Sequence, residues 1–209
     1  MGVDMGSREF KQRKNKNEWA YGIRSHESVL AVYDSLVEPE WSMLSPLFEF
    51  YVLHSPVRGQ SALGIKIEER GWGSDAWRDD LRKRLDSVLP FEDGRTLLLP
   101  TTNSKPGLAR LFDDCNLEDG PLADLHVERA AARPSSDAYR YLRLFRHVRN
   151  CLAHGSFVVV GDEGVLGPVM VMEDKDRYNI TARMVLRVKT LYKWRDIILG
   201  GPDAEWQLK

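Results

Sequence analysis

The sequence predicts a mainly α-helical domain with a small antiparallel β segment after its clearest helix. Apolar residues recur at helical spacing through much of residues 25–154, and beyond residue 156 they form short β-branched runs separated by turns. At 209 residues with 43% hydrophobic content, the chain can form one domain with additions. We divide it into a basic N-terminal arm or helix (1–24), a helical domain (25–199) with a β insertion at about 156–188, and a C-terminal tail (200–209).

Four helices are predicted before residue 91. The first spans 25–37 after the N-cap candidate Ser25, and the second spans 40–54, where Pro46 marks an alternative start. The third and fourth span 59–71 and 74–89. In the fourth helix the apolar residues fall at i, i+4, i+8 and i+11: Trp77, Leu81, Leu85 and Val88.

Residues 91–135 have weaker patterns. Thr96–Leu99 predicts a short strand or a buried turn, and Leu108–Phe112 predicts one or two helical turns. Residues 122–132 predict a helix that Pro134 ends.

The strongest pattern is a helix that begins near Ser135, Ser136 and Asp137 and stops at Gly155. Its apolar side contains Tyr141, Leu144, Phe145, Val148 and Leu152. Its opposite side carries Arg143, His147, Asn150 and, if the helix continues that far, His154. For Arg143 and His147 we favour a solvated helix face, with contact to RNA as the alternative.

Three apolar runs then predict strands. Phe157–Val160 and Val165–Met172 flank a turn at 161–164, and Asp174–Asp176 forms another turn. Residues 180–188 alternate with period two, although Val185 interrupts the polar face and leaves a helix as the rival interpretation. A short helix at 190–199 completes the domain.

Charge and composition exclude several classes of function. Lys and Arg total 30 against 31 for Asp and Glu, which excludes a globally basic nucleic-acid coat but allows a local basic site. No apolar stretch approaches the ~20 residues of a membrane span, and residues 1–20 show no signal-peptide pattern, so we expect a cytoplasmic protein without membrane contact. Cys115 and Cys151 are isolated, and no phosphate-binding glycine loop occurs, so we expect neither a metal nor another cofactor.

Cations and imidazoles concentrate at the end of the strongest helix: Arg143, Arg146, His147, Arg149 and His154, with Asn150 among them. Cleavage of RNA without a metal needs a base for the 2′-hydroxyl proton, an acid for the leaving oxygen and a cation for the phosphate. Histidine suits proton transfer near neutral pH, and the arginine fork binds phosphate through two hydrogen bonds. Arg149 and His154 are therefore a chemically sensible pair.

Helix geometry constrains that pair. Five residues correspond to about 140° of rotation and ~7.5 Å of rise, so Arg149 and His154 would point to different sides of a regular helix. Either the helix ends near Ala153 and His154 turns back, or a second subunit completes the site in a symmetric dimer.

The run Arg149-Asn150-Cys151-Leu152-Ala153-His154-Gly155 resembles the Arg-Asn-x-x-Ala-His-Gly motif of the HEPN superfamily, whose members are small helical bundles. Many are metal-independent endoribonucleases of toxin–antitoxin, abortive-infection and CRISPR-linked defence systems. The resemblance implies that Arg149 and His154 carry catalysis with Asn150 beside them, and that two protomers join their motifs. The strand-rich segment after the motif departs from a plain HEPN bundle.

Three functions remain open. The first is an RNA-cleaving homodimer with catalytic Arg149, His154 and Asn150, in which Arg143, Arg146 and His147 bind RNA. The second is a non-catalytic module that binds RNA or a partner protein such as an antitoxin. The third is a structural domain in which the motif only joins two subunits. For His154 the alternative is an ordinary histidine at a helix end, and for Arg149 an ordinary surface arginine; for both we favour the catalytic role.

Overall fold

The computed structural model describes residues 28–30, 41–57, 59–89, 108–118, 122, 124–132, 139–161, 167–177 and 179–204. These residues form five α-helices and four strands. The helices are α1 (Trp41–Phe48), α2 (Asp80–Val88), α3 (Leu108–Asp114), α4 (Arg140–His154) and α5 (Val188–Gly200). The strands are β1 (Arg129–Ala132), β2 (Phe157–Val160), β3 (Val169–Asp176) and β4 (Asn179–Arg187). A π-helix (Glu49–Leu53) continues α1, and a 3-10 helix spans Ile67–Arg70.

The strands form one antiparallel sheet in the order β1-β4-β3-β2. β3 and β4 lie in the centre and pair from Val169 opposite Arg187 to Asp176 opposite Asn179. Their register shifts between Asp174 and Lys175, where β4 has one extra residue. Because of this bulge, Ile180 faces the opposite side of the sheet from Ala182.

Both faces of this sheet are buried, which overturns the prediction of a mainly α-helical bundle. On one face Met170, Met172 and Met184 join the core that includes residues of α1, α2, α4 and α5. On the other face Val171 and Val185 pack with residues of α3 in a second core. The protein is a mixed α/β fold in which the sheet is a central layer. Burial of both faces also explains why Val185 interrupted the expected polar face of β4.

The sheet has one strand more than the sequence predicts, because β1 lies within 122–132, where the sequence predicts a helix. Alanine has the highest helix propensity, but here Ala130 and Ala132 pack in the first core and Ala131 packs in the second. Pairing of β1 with β4 therefore decides the conformation of this segment. This pairing joins residues 50 to 56 positions apart, so local sequence patterns do not reveal it.

Other boundaries differ in detail. The helix predicted at 59–71 is only the 3-10 turn Ile67–Arg70, and turns occupy 74–79 ahead of α2. Pro46 lies inside α1 and does not start it. The predictions for 1–24, 96–99 and most of 25–37 fall outside the described residues, as do the proposed capping residues Ser135–Asp137.

Most of the remaining elements agree with the predictions, but β3 runs from Val169 to Asp176 and so includes the predicted turn at 174–176. The sequence located α4, β2, β4 and α5 to within a few residues at most of their boundaries, apart from the start of α4 at Arg140. In the part of the chain that the structure describes, no helix has the length and apolar character needed to cross a bilayer.

Candidate functional site

The motif residues lie in the last turns of α4, which remains helical through His154. Gly155 adopts the left-handed conformation with φ of 64° and caps the helix, and this confirms the predicted stop. The N–H of Gly155 donates to the carbonyl of Leu152 at 3.3 Å, and the N–H of Ser156 donates to that of Cys151 at 2.9 Å. The suggestion that the helix ends before His154 is therefore wrong.

Aromatic packing holds α4 in place. Phe145, at the middle of its apolar side, lies 5.8 Å from the ring centroids of both Tyr141 and Trp194, the latter on α5. Tyr51, from the π-helix, contacts Phe145 from another direction at 5.6 Å. These contacts fix the rotation of α4 about its axis, and so they decide which side the motif residues face.

The side of α4 that we expected to be solvated instead packs on the sheet. Arg143 is only 7% exposed and His147 only 6%, so the solvated-face interpretation of these two residues is wrong. The cause is that α4 lies across β3, which covers its polar side. Arg146 and Asn150 are half-buried, whereas His154 is exposed.

Asp174 of β3 joins two residues of α4. Its Oδ2 lies 2.6 Å from Nδ1 of His147 and accepts a hydrogen bond from Nδ2 of Asn150 at 3.1 Å. A carboxylate can only accept hydrogen bonds, so Nδ1 of His147 carries a proton and donates it. In the neutral imidazole Nε2 then carries no proton and is a hydrogen-bond acceptor. Nε2 is buried without a hydrogen-bond partner among the described residues.

Sequence reasoning placed Asp174 in a turn, but it is a buried strand residue with 5% exposure. One signal pointed to it: Asp174 follows Met170 and Met172 at strand spacing, so continuing β3 by two residues puts it on the same face. The acidic pair Glu173-Asp174 obscured this signal, because carboxylates normally mark solvent or turns.

Among the residues that the structure describes, Arg149 makes two hydrogen bonds. Its Nη1 donates to Oδ1 of Asn150 at 3.2 Å, and its Nη2 donates to the backbone carbonyl of Gln60 at 3.4 Å. The residue is half-buried and its Nε is fully buried, so beyond these two bonds one N–H on Nη1 and one on Nη2 remain for a ligand. Gln60 belongs to the irregular segment after the π-helix, and the motif itself offered no sign of this contact.

The structure thus links Arg149 and Asn150 of the motif to His147 and Asp174, but it places His154 apart from them. His147, Asp174, Asn150 and Arg149 are linked in series by hydrogen bonds. His154 lies one turn and a half further along α4, about 140° around the axis from Arg149. In a single chain these two residues therefore face different directions.

The remaining chemistry of this region is limited. Burial, followed by the nearby carboxylates Asp174 and Glu173, raises the pKa of the Cys151 thiol well above its usual value, so this thiol is not a nucleophile. Cys115 is also buried. Among the described residues, no group of three or more His, Cys, Asp or Glu side chains could hold a metal ion.

The chain matches no protein-family model, no curated protein and no solved structure.

Proposed function

We propose that the protein is a metal-independent endoribonuclease that cleaves RNA through the 2′-hydroxyl. The observation that carries this proposal is the placement of an exposed imidazole, His154, and a fixed guanidinium, Arg149, on the last turns of one rigid helix. The motif's resemblance to HEPN ribonucleases supports the proposal, whereas the mixed α/β fold adds no support.

In this proposal each motif residue has one role. Arg149 binds the scissile phosphate through its remaining N–H groups and stabilises the charge that develops in the transition state. His154 acts as general acid or base, and its exposure lets it reach a bound strand. Asn150 holds the guanidinium through its side-chain oxygen. The expected product carries a 2′,3′-cyclic phosphate.

The active form is proposed to be a homodimer. Because α4 stays regular to its end, Arg149 and His154 of one chain diverge by about 140°, and a two-fold partner can supply the missing group to each site. We call this arrangement the composite site: Arg149 and Asn150 from one protomer, and His154 from the other.

The setting of the activity follows from the same motif. We propose a cytoplasmic protein of a toxin–antitoxin, abortive-infection or related defence system, in which a partner protein such as an antitoxin controls the nuclease. Arg146, half-buried on α4, remains a proposed RNA contact. Arg143 and His147 could contact RNA only if α4 moved away from β3, because both are buried.

A non-catalytic module that binds RNA or a partner protein is the second candidate. One observation favours it: Arg149 already donates to Asn150 and to Gln60, and His147 is fixed by Asp174. N–H groups that are already used within the chain are not available to a reacting phosphate, so these contacts favour binding over turnover. This candidate predicts binding without turnover.

RNA digestion in the presence of EDTA tests the two candidates. We expect the wild-type protein to cleave RNA, and we expect Arg149→Ala and His154→Ala each to lower kcat by at least about 100-fold, the range for loss of a general acid–base or charge-stabilising group. Arg110→Ala, an exposed arginine of α3, is the matched control and should keep full activity. Equal cleavage by all four proteins would show that the activity does not belong to this site.

A further inference from the structure

The side chains of Asp174, Asn150 and Arg149 form a continuous series of hydrogen bonds from the sheet to the motif arginine. Asp174 Oδ2 accepts from Nδ2 of Asn150 at 3.1 Å, and Oδ1 of Asn150 accepts from Nη1 of Arg149 at 3.2 Å. Each donor therefore meets an acceptor, and the guanidinium is connected to the central strand β3 through a single intervening residue.

Asp174 is a rigid starting point for this series. It is 5% exposed and lies on β3, which is paired with strands on both sides. Its backbone carbonyl accepts a hydrogen bond from Oγ1 of Thr181 at 3.2 Å, at the bulge of β4. Its carboxylate is held a second time by Nδ1 of His147 at 2.6 Å. The side chain has little freedom to leave this position.

The carboxylate decides which way the Asn150 amide faces. An asparagine side chain can rotate by 180° and exchange its oxygen and nitrogen. Beside Asp174 only the nitrogen can donate to the carboxylate, so the oxygen must face Arg149. If the amide were reversed, its NH2 group would face the guanidinium and both contacts would be lost.

We infer that Asp174 is a positioning residue for Arg149, acting through Asn150. This inference rests on the proposed ribonuclease function. With the Asn150 oxygen on Nη1 and the Gln60 carbonyl on Nη2, the plane of the guanidinium is set before RNA binds. A preset donor costs no reorganisation when charge develops on the phosphate, so the contribution of Asp174 belongs to the chemical step.

The test compares kcat and KM for RNA cleavage in EDTA, at a temperature where circular dichroism shows every variant folded. Asp174→Ala should lower kcat by about 10- to 100-fold, the effect of misplacing a catalytic group by up to 1 Å, with a smaller change in KM. Asp174→Asn should recover part of the loss, because an amide oxygen in the same place can still accept from Asn150. Asp176→Asn, an exposed carboxylate of the same strand, is the matched control and should be unaffected.

A double-mutant cycle separates positioning from general stabilisation. Once Asn150→Ala has broken the series, adding Asp174→Ala should cause no further loss of kcat, because the effect of Asp174 passes through Asn150. If the kcat losses of the two single variants multiply in the double variant, the inference is overturned. Full activity of Asp174→Ala beside an active wild-type protein would overturn it as well. If the wild-type protein cleaves no RNA, the proposed function fails and this inference falls with it.

Discussion

Two neighbouring carboxylates of β3 illustrate how much the surroundings decide at the residue scale. Asp174 faces α4, whereas Glu173 faces the other core and lies 3.0 Å from Nε of Arg183, with both side chains fully buried. Glu173 also accepts hydrogen bonds from Oγ of Ser28 at 2.6 Å and from the N–H of Val29 at 3.0 Å. Strand alternation sends adjacent residues to opposite faces, so one acidic pair serves two separate polar clusters.

Glu173→Gln should destabilise the protein by about 3–5 kcal/mol, because it leaves the guanidinium of Arg183 buried without its countercharge. The free energy of unfolding in urea measures this loss. Glu69→Gln removes the same charge from an exposed ion pair with Lys66, and should change stability by about 0.5 kcal/mol or less. Similar midpoints for the two variants would contradict a structural role for the buried pair.

At this scale the sequence marks the motif residues but not the residues that they contact in the fold. Arg149, Asn150 and His154 are marked by their spacing in the chain, which needs no structure to detect. Asp174 and Gln60 reach the same region only because α4 packs against β3 and the segment after the π-helix. Such contacts depend on tertiary structure, and neither residue type is unusual where it stands.

At the scale of elements, the start of α5 depends on a residue from a distant segment. Oε1 of Glu128 accepts the N–H of Arg187 at 2.6 Å, and Oε2 accepts the hydroxyl of Thr190 at 2.9 Å. Glu128 thus caps the helix from the residue just before β1, and its negative charge lies at the positive end of the α5 dipole.

This cap predicts a pH dependence of stability. Burial raises the pKa of Glu128 above its usual 4.5, and the hydrogen bonds from Arg187 and Thr190 only partly oppose this effect. Because the folded state holds the Glu128 proton more tightly than the unfolded state, protonation of Glu128 stabilises the fold. This stabilisation is complete below pH 4.5 and is lost as the pH rises through the pKa of the folded state, and it amounts to about 1.4 kcal/mol per unit by which the pKa is raised. From pH 4 to pH 8 the unfolding free energy of the wild-type protein should therefore fall relative to that of Glu128→Gln.

Thr190→Val provides the control for this pH effect, because it removes one contact and leaves the carboxyl able to titrate. Urea titrations of Thr190→Val should retain the pH dependence that Glu128→Gln abolishes. Parallel stability curves for wild type and Glu128→Gln over this range would show that the Glu128 pKa is not raised by folding.

Elements with a strong internal pattern were predicted, and those that depend on a partner were not. The apolar face of α4 and the alternation of β4 lie within one segment, so the sequence alone predicts them. β1 has four residues and three alanines, and only its pairing with β4 makes it a strand. The two-sided burial of the sheet likewise requires knowledge of which helices cover it.

At the scale of the whole molecule, Arg149 and His154 of one chain point in different directions, so the proposed reaction requires more than one subunit. A monomer with this helix presents Arg149 and His154, the proposed phosphate-binding and proton-transferring groups, in different directions. Two protomers related by a two-fold axis contain two composite sites, each with one complete set of groups. The dimer proposal therefore makes a prediction that no monomeric mechanism shares.

Two inactive variants should restore each other's activity when mixed. In a heterodimer of Arg149→Ala with His154→Ala, one composite site carries both substitutions and the other carries none. Random exchange makes half of the dimers heterodimeric with one intact site each, so RNA cleavage should return to about one quarter of the wild-type rate. Arg149→Ala mixed with Asn150→Ala is the matched control, because both residues come from the same protomer and no site is fully restored. Mass spectrometry shows whether heterodimers of Arg149→Ala with His154→Ala form. If they form but cleavage does not return, each site takes Arg149 and His154 from the same chain. In that case α4 must depart from its regular helix when RNA binds.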